Sequence, residues 1–240
     1  MPRLEKKIKI RNFETDIKGH CSVPVMADLF QGIAEEHAEM LGLGYKDMSR
    51  ENMVWVLSRM SINVLEFPPI GKELILETLP IGVDRLFALR DYSMKTEDKT
   101  YISATSAWII INMESRRPLK PDSHIAKLGI DLNKAPNSET PGKIVVPENH
   151  SRKSNRSVKY SDLDINNHMN NGQYFRWILD LFSPEIFMHK SVSSATINYN
   201  NELFYGDDVE LFSGESSPSI WTIWGVAKGR NAFSAQIKWN

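Results

Sequence analysis

The sequence has almost no cysteine: Cys21 is the single one in 240 residues, so no disulfide can form within the chain. That removes the disulfide-framed secreted scaffolds and fits a reducing cytoplasm. Long hydrophobic runs are missing as well. No stretch of about 18 apolar residues occurs, so no transmembrane helix is expected. The opening MPRLEKKIKI is charged and has no apolar centre of signal-peptide length. Net charge is nearly absent, at −1, which gives no reason to expect attraction to nucleic acid or to an anionic membrane. What remains is 41% hydrophobic and 25% charged, an ordinary soluble globular composition. The length suits one large domain or two of about 100–130 residues.

Periodicity divides the chain. Residues 6–13 suggest a short strand. Pro24 and Asp28 open a helix over about 25–41, with Leu29, Ile33, Ala34, His37 and Leu41 at helical spacing and Gly42 and Gly44 closing it. Strands are expected over 53–67, 73–79, 86–94 and 102–112, with a Pro68-Pro69…Gly71 turn after the first. Residues 113–159 carry Pro118, Pro121, Pro136, Pro141 and Pro147 and read as a linker. A second helix over 170–182 follows, with Tyr174, Ile178 and Leu181 on one face. Strands then return over 192–203, 207–215, 219–228 and 231–239. The order predicts an α+β fold, an antiparallel sheet packed on a helix, stated twice.

The two statements align. Asp16-Ile-Lys-Gly-His20 matches Asp164-Ile-Asn-Asn-His168 at an offset of 148. Ile62-Asn63 with Gly71 matches Ile197-Asn198 with Gly206, and Ile102-Ser-Ala matches Phe233-Ser-Ala. Their shared order argues for an internal repeat.

The densest polar cluster is Asp162-Leu-Asp164-Ile-Asn166-Asn-His168-Met-Asn170-Asn171. Read as extended backbone, Asp164, Asn166 and His168 share one face while Leu163 and Ile165 face the core. A carboxylate, an amide and an imidazole would then stand before a helix N-terminus, whose N–H groups suit an oxyanion. The plainer reading is a polar turn with Asn170 or Asn171 capping the helix. A calcium loop is rejected: its sixth position is Asn167 rather than Gly and its twelfth is Gln173 rather than Glu. No metal or cofactor is expected.

This block, with Tyr174, Trp177 and Ile178-Leu179-Asp180 behind it, resembles the signature of acyl-acyl-carrier-protein (acyl-ACP) thioesterases, the plant plastid enzymes and their bacterial relatives. Phe30-Gln31 with Glu36-His37-Ala38, Trp55-Val-Leu-Ser-Arg-Met60, Phe67-Pro68 to Gly71, Arg90-Asp91-Tyr92, Ala104-Thr-Ser-Ala-Trp108 and Ser115-Arg116-Arg117-Pro118 resemble further blocks in family order. The resemblance implies a double hotdog: an N-terminal hotdog over 1–128 that holds the acyl chain, a linker over 129–157 and a catalytic C-terminal hotdog over 158–240. It implies catalysis by Asp164, Asn166 and His168, with Glu202 of Tyr199-Asn-Asn-Glu202-Leu203 as the acid. Leu203 stands where some relatives have cysteine, so attack by water is favoured over a thiol nucleophile. Glu202 would act as general base and His168 would orient water or thioester. Asn166 would fix the substrate, Asp164 would hold the loop or the imidazole, and N–H groups near Asn170 and Asn171 would meet the oxyanion. The implied reaction releases free fatty acid from acyl-ACP in fatty acid biosynthesis, with ACP as partner.

Other residues carry weaker expectations. Glu202 falls opposite Phe67 and Asn166 opposite Lys18, so the first copy keeps Asp16 and His20 without acid or amide. That copy is a degenerate binding site or a plain surface turn. Met26, Leu29, Ile33 and Trp55 are candidates for an acyl channel, against a plainer reading as core. His37 reads as packed; His124, His150 and His189 read as surface. Between Ser115 and Tyr160 ten Lys/Arg stand against four acids, a net of +6. ACP is acidic, so Arg116, Arg117, Arg152, Lys153 and Arg156 are docking candidates, against a solvated linker. Hydrolysis of acyl-CoA and a non-catalytic acyl sensor are the competing functions. A sensor calls for an effector module such as a helix-turn-helix, and none is visible. Pairing into a homodimer is left open.

Overall fold

The computed structural model describes residues 3–121, 140–147 and 151–240, with backbone alone for 151–153. His124 and His150 lie outside the described residues. The chain divides into two compact units, Met1–Cys21 with Leu29–Pro141, and Ser22–Asp28 with Gly142–Asn240.

In the first unit, strands β1 (Leu4–Lys9), β2 (Met53–Val64), β3 (Glu73–Asp84), β4 (Phe87–Lys95) and β5 (Thr100–Asn112) pair antiparallel in the order β1-β3-β4-β5-β2. The two-residue β6 (Pro118–Leu119) adds to β5. Strand β3 runs past Pro80 because the register shifts between Pro80 and Gly82, a bulge that excuses the missing N–H. Helix α1 (Val23–Met40) buries Met26, Phe30, Ile33, Ala34 and His37, an i, i+4, i+7 face. Phe30 meets Tyr92 of β4 at 5.0 Å between ring centroids. The helix ends as its glycine predicts. Gly42 takes φ +69°, its N–H reaches the Glu39 carbonyl (3.1 Å), and the Leu43 N–H reaches Ala38 (2.9 Å). The short helix α2 (Tyr45–Arg50) follows, unexpected from periodicity.

The second unit holds β7 (Ser151–Ser157), α3 (Asn171–Leu179), α4 (Pro184–His189), β8 (Val192–Tyr199), β9 (Asp208–Ser217), β10 (Ile220–Ala227) and β11 (Arg230–Trp239). Its sheet order is β8-β11-β10-β9-β7, again antiparallel. Tyr174, Phe175, Trp177 and Ile178 of α3 are buried, and Tyr174 packs edge-on against Phe233 of β11. Two elements depart from expectation. Strand β7 falls in the segment read as linker; its sequence SRKSNRS has no apolar alternation because it is an outer strand paired on β9 alone. The helix expected to reach 182 stops at Leu179, and α4 follows the turn. Among the described residues no helix is long and apolar enough to cross a membrane.

Each unit is thus an antiparallel sheet with a helix as its apolar centre. His37 is the polar exception on the α1 face. Its Nδ1 accepts from the Arg90 guanidinium at 2.9 Å, so the ring is neutral with its proton on Nε2. Burial, and then the Arg90 charge, push its pKa down to about 4. The sign follows from linkage: the unfolded chain takes a proton near pH 6.5, which the folded chain refuses until about pH 4. Stability is therefore full above pH 6.5 and falls between the two values, by up to about 3 kcal/mol. Urea midpoints of wild type and His37→Gln, compared from pH 7 to pH 4, are expected to show the steeper acid loss in wild type. Parallel profiles would clear His37 of this role.

Candidate functional site

The polar block folds as a turn, not as an extended strand. The Asp164 carboxylate accepts from the N–H of Asn166 (2.8 Å) and of His168 (3.3 Å). The Asp164 N–H reaches the His168 carbonyl (2.8 Å), and Asn167 takes φ +60° to close the turn. A short polar side chain that satisfies its own neighbours' amides competes with strand geometry, and here it wins. The expected alternation is therefore corrected: Ile165 does not face the core but is 95% exposed, at the tip of the turn. Of the two roles expected of Asp164, these bonds go to the loop backbone and not to the imidazole. Asp162 spends its carboxylate on the Lys159 N–H (2.8 Å), away from any calcium-type arrangement.

A second loop is zipped to this one. The Met169 N–H donates to the Leu203 carbonyl (2.8 Å), and His168 bridges to Phe204. The chain leaves β8 with the Asn200 and Asn201 N–H groups both on the Ala232 carbonyl, then turns Glu202 toward the imidazole. His168 Nδ1 stands 3.7 Å from Glu202 Oε1, each side chain partly exposed. Phe204 lies edge-on to the imidazole at 4.9 Å between centroids. Two residues 34 positions apart in sequence are thus brought together. Asn166 is exposed on the same turn. Tyr174, read from the sequence as a helix-face residue of the family block and given no role in the site, lies buried on α3. Burial raises its phenol pKa, and the nearby charges of Glu202, Asp164 and Asp207 raise it further, so it stays protonated. Nothing in its helical spacing signals that position.

The start of α3 is tightly committed. Asn170 is its N-cap: its side chain accepts from the Gly172 N–H (2.8 Å), and its own N–H is donated to the Asp162 carbonyl (2.8 Å). The expected oxyanion role is corrected at Asn170, whose N–H is already spent. The Asn171 carbonyl accepts from the Tyr199 hydroxyl (3.1 Å). Asp28 of α1 reaches this helix and binds Arg176 at 2.8 Å; a Cβ on Gly172 would lie 1.8 Å from its carboxylate oxygen.

The first copy reproduces this frame bond for bond. The Asp16 carboxylate accepts from the N–H of Lys18 (2.9 Å) and His20 (3.0 Å), and the Asp16 N–H reaches the His20 carbonyl (2.7 Å). Gly19 at φ +73° replaces Asn167, and the Cys21 N–H donates to Pro68 (2.8 Å) as Met169 does to Leu203. The chemistry is not reproduced. Phe67 occupies the place of Glu202 and stacks on His20 at 5.8 Å. Cys21 is fully buried and its pKa is pushed up to about 12, so it is no nucleophile.

The remaining candidates separate. Met26 and Ile33 are buried on α1 and Leu29 is half-buried. Trp55 packs on Met48, Met53 and Ile110 and donates its Nε1 to the Leu43 carbonyl (3.1 Å), a core role under α2. Arg116 and Arg117 are exposed in the turn between β5 and β6. Arg156 is engaged: its guanidinium binds Asp180 at 2.9 Å and lies over the Trp177 ring. The side chains of Arg152 and Lys153 lie outside the described residues.

Comparison with known proteins agrees with this architecture. A model of the acyl-ACP thioesterase N-terminal domain matches residues 3–128, and one of the C-terminal domain matches residues 146–240. The chain is 26% identical to an oleoyl-acyl carrier protein thioesterase of Coriandrum sativum, over 96% of this chain and 67% of that protein. It is 24% identical to oleoyl-acyl carrier protein thioesterase 2 of Arabidopsis thaliana, over 90% and 64%. The chain spans about half to two thirds of the length of such curated relatives. An acyl-ACP thioesterase structure from Bacteroides thetaiotaomicron superposes with a TM-score of 0.91 at 27% identity, covering 99% of this chain and 98% of that one. The 12:0-ACP thioesterase of Umbellularia californica shares the fold, with a TM-score of 0.83 at 21% identity over 99% and 97%. The chain belongs to the acyl-ACP thioesterase family, and its fold is a double hotdog.

Because the two turns share a frame, one substitution separates scaffold from chemistry. Asp16→Ala and Asp164→Ala should each cost about 1–2 kcal/mol in folding stability, measured by urea unfolding. Only Asp164→Ala should also lower kcat. Equal kinetics in the two variants would place no chemistry at the second turn.

Proposed function

We propose that this member of the family hydrolyses the thioester of acyl-ACP, releasing free fatty acid and ACP, with its chemistry in the second unit. The observation that supports the reading is the 3.7 Å approach of His168 Nδ1 to Glu202 Oε1 on two zipped loops, next to the protonated Tyr174. Glu202 takes a proton from the attacking water as the new C–O bond forms. His168 orients water or thioester and exchanges the proton with the carboxylate. The tetrahedral oxyanion collapses, the C–S bond breaks, and the proton goes to the departing thiolate. Asn166, exposed beside the pair, orients the substrate amide. Asp164 acts through the backbone that carries His168. With Cys21 buried and Leu203 beside the acid, the route has no acyl-enzyme stage on sulfur. The first unit, whose matching turn carries Phe67 in place of the acid, serves acyl binding, with Leu29 and Ile33 of α1 as apolar lining.

Glu202→Ala tests the base. A positioned general base contributes about 10²–10⁴-fold, so kcat on acyl-ACP should fall at least about 100-fold with the fold intact by circular dichroism. A near-normal rate would remove Glu202 from the mechanism. The same assay run with acyl-CoA over a series of chain lengths decides the carrier: comparable turnover of both overturns the ACP assignment.

A further inference from the structure

The backbone N–H groups around the reacting pair are spent inside the protein. Those of Asn166 and His168 go to the Asp164 carboxylate, and that of Asn167 goes to the Asp164 carbonyl. Those of Met169 and Asn170 go to the carbonyls of Leu203 and Asp162. At the start of α3 the Gly172 N–H goes to the Asn170 side chain and the Gln173 N–H to the Asn170 carbonyl. A carbonyl oxygen that turns into an oxyanion needs a donor held in place beforehand. None of these amides can serve, which shifts the work to a side chain.

Tyr174 carries an uncommitted hydroxyl. The residue is 3% exposed, and its ring is fixed edge-on by Tyr199 and Phe233, each at 5.2 Å between centroids. Among the described residues its hydroxyl has no hydrogen-bond partner. The neighbouring Tyr199 differs, because its hydroxyl donates to the Asn171 carbonyl (3.1 Å). Buried polar groups are normally paired, so an unpaired one next to a reacting pair calls for a reason. Among the described residues the enclosed side-chain atoms without a partner are Ser93 Oγ and Ser154 Oγ, so the Tyr174 oxygen, which is not one of them, keeps accessible surface. A helical side chain leans toward the N-terminus of its helix. From the first turn of α3 that direction leads to the turn carrying His168. Of the charges felt by the phenol, that of Glu202 weighs most, and no hydrogen bond joins the two groups.

The internal repeat supplies a control. The offset of 148 that aligns the two turns continues into the helices, which begin at Val23 and Asn171. Tyr174 then matches Met26, which is fully buried and has no hydroxyl. The copy with Phe67 in place of the acid therefore lacks the phenol as well.

We propose that Tyr174 is a further catalytic residue, whose hydroxyl donates to the thioester carbonyl oxygen and holds the oxyanion that forms there. The proposal rests on the hydrolase reading above. As the water oxygen bonds to the carbonyl carbon, its proton passes to Glu202. The C=O electron pair moves onto the oxygen that accepts from Tyr174. The phenol keeps its own proton throughout, because burial and the neighbouring carboxylates hold its pKa above the ordinary tyrosine value. When the pair returns, the C–S bond breaks and the proton held by Glu202 goes to the thiolate.

Tyr174→Phe removes the oxygen alone. On acyl-ACP, kcat is expected to fall about 100-fold with KM within about threefold of wild type. The urea midpoint is expected to hold, since no hydrogen bond inside the protein is lost. A folded variant with kcat within about threefold of wild type overturns the proposal. A fluorinated tyrosine at position 174 keeps the packing and makes the phenol more acidic. Its kcat is expected to drop as rising pH ionises the phenol, which can then no longer donate, while wild type holds its rate. Coinciding pH profiles overturn the proposal. Two inhibitors separate donation from packing: an acyl trifluoromethyl ketone, whose hydrate resembles the tetrahedral adduct, and a thioether analogue without the carbonyl. Tyr174→Phe is expected to weaken the ketone about 100-fold and the thioether less than about threefold. Equal losses assign Tyr174 to packing alone and overturn the proposal. A wild type that hydrolyses no thioester sinks the hydrolase reading and this proposal with it, whereas a fast Tyr174→Phe sinks the proposal alone.

Discussion

A carboxylate closed on its own chain is the constraint from which the site is built. Asp164 draws the amides of Asn166 and His168 onto one oxygen, and the Asp164 N–H answers to the His168 carbonyl. Hydrogen bonds to an ionised acceptor are worth about twice neutral ones, so a five-residue turn is fixed without a core beneath it. The Met169–Leu203 bond then clips that turn to the loop after β8. Nothing covalent or local joins His168 to Glu202. Their approach is a consequence of these few bonds, set by the backbone before any side chain.

The repeat shows that frame and chemistry are separable. Both copies spend an aspartate on the same two amides and put a histidine at the same carbonyl. They differ at the positions of Asn166 and Glu202, which are Lys18 and Phe67 in the first copy. An aromatic ring stacked on His20 is satisfied there without a charge partner. A carboxylate at that position would need hydration or a cation. The second copy thus sets a carboxylate near its histidine, and the first sets an apolar ring there.

Much of this was legible in the sequence. The α1 face, the glycine stop at Gly42 and the eight long strands follow from spacing and turn residues. The match of Asp16…His20 to Asp164…His168 pointed to a repeat, and the two segments make the same turn. What failed did so for physical reasons. Alternation placed Ile165 in the core because strand geometry was assumed where an aspartate side chain competes for the backbone. Helices α2 and α4 have six residues each, too few to display a helical period. Strand β7 is polar throughout and pairs along one edge, so it has no apolar face to reveal. Tyr174 was visible on the helix face, but not as a phenol near the charge of Glu202, which comes from a loop 28 positions on in sequence.

The second unit is not simply the C-terminal half of the chain. Ser22–Asp28, the beginning of α1, clusters with Gly142–Asn240. The contact is specific. Asp28 binds Arg176 of α3, and its carboxylate fits against Gly172 only because that residue has no Cβ. Gly172 is also the amide that Asn170 caps, three residues beyond Met169, whose N–H clips to Leu203. A glycine in a first helical turn costs about 1 kcal/mol in helix propensity relative to alanine. That cost is offset here by an ion pair and by the close seating of α1's first turns. Sequence reasoning placed Asp28 as a helix opener and nothing more, because a partner 148 residues away leaves no local trace. The second unit therefore includes the opening turns of α1, held to α3 by the Asp28–Arg176 pair.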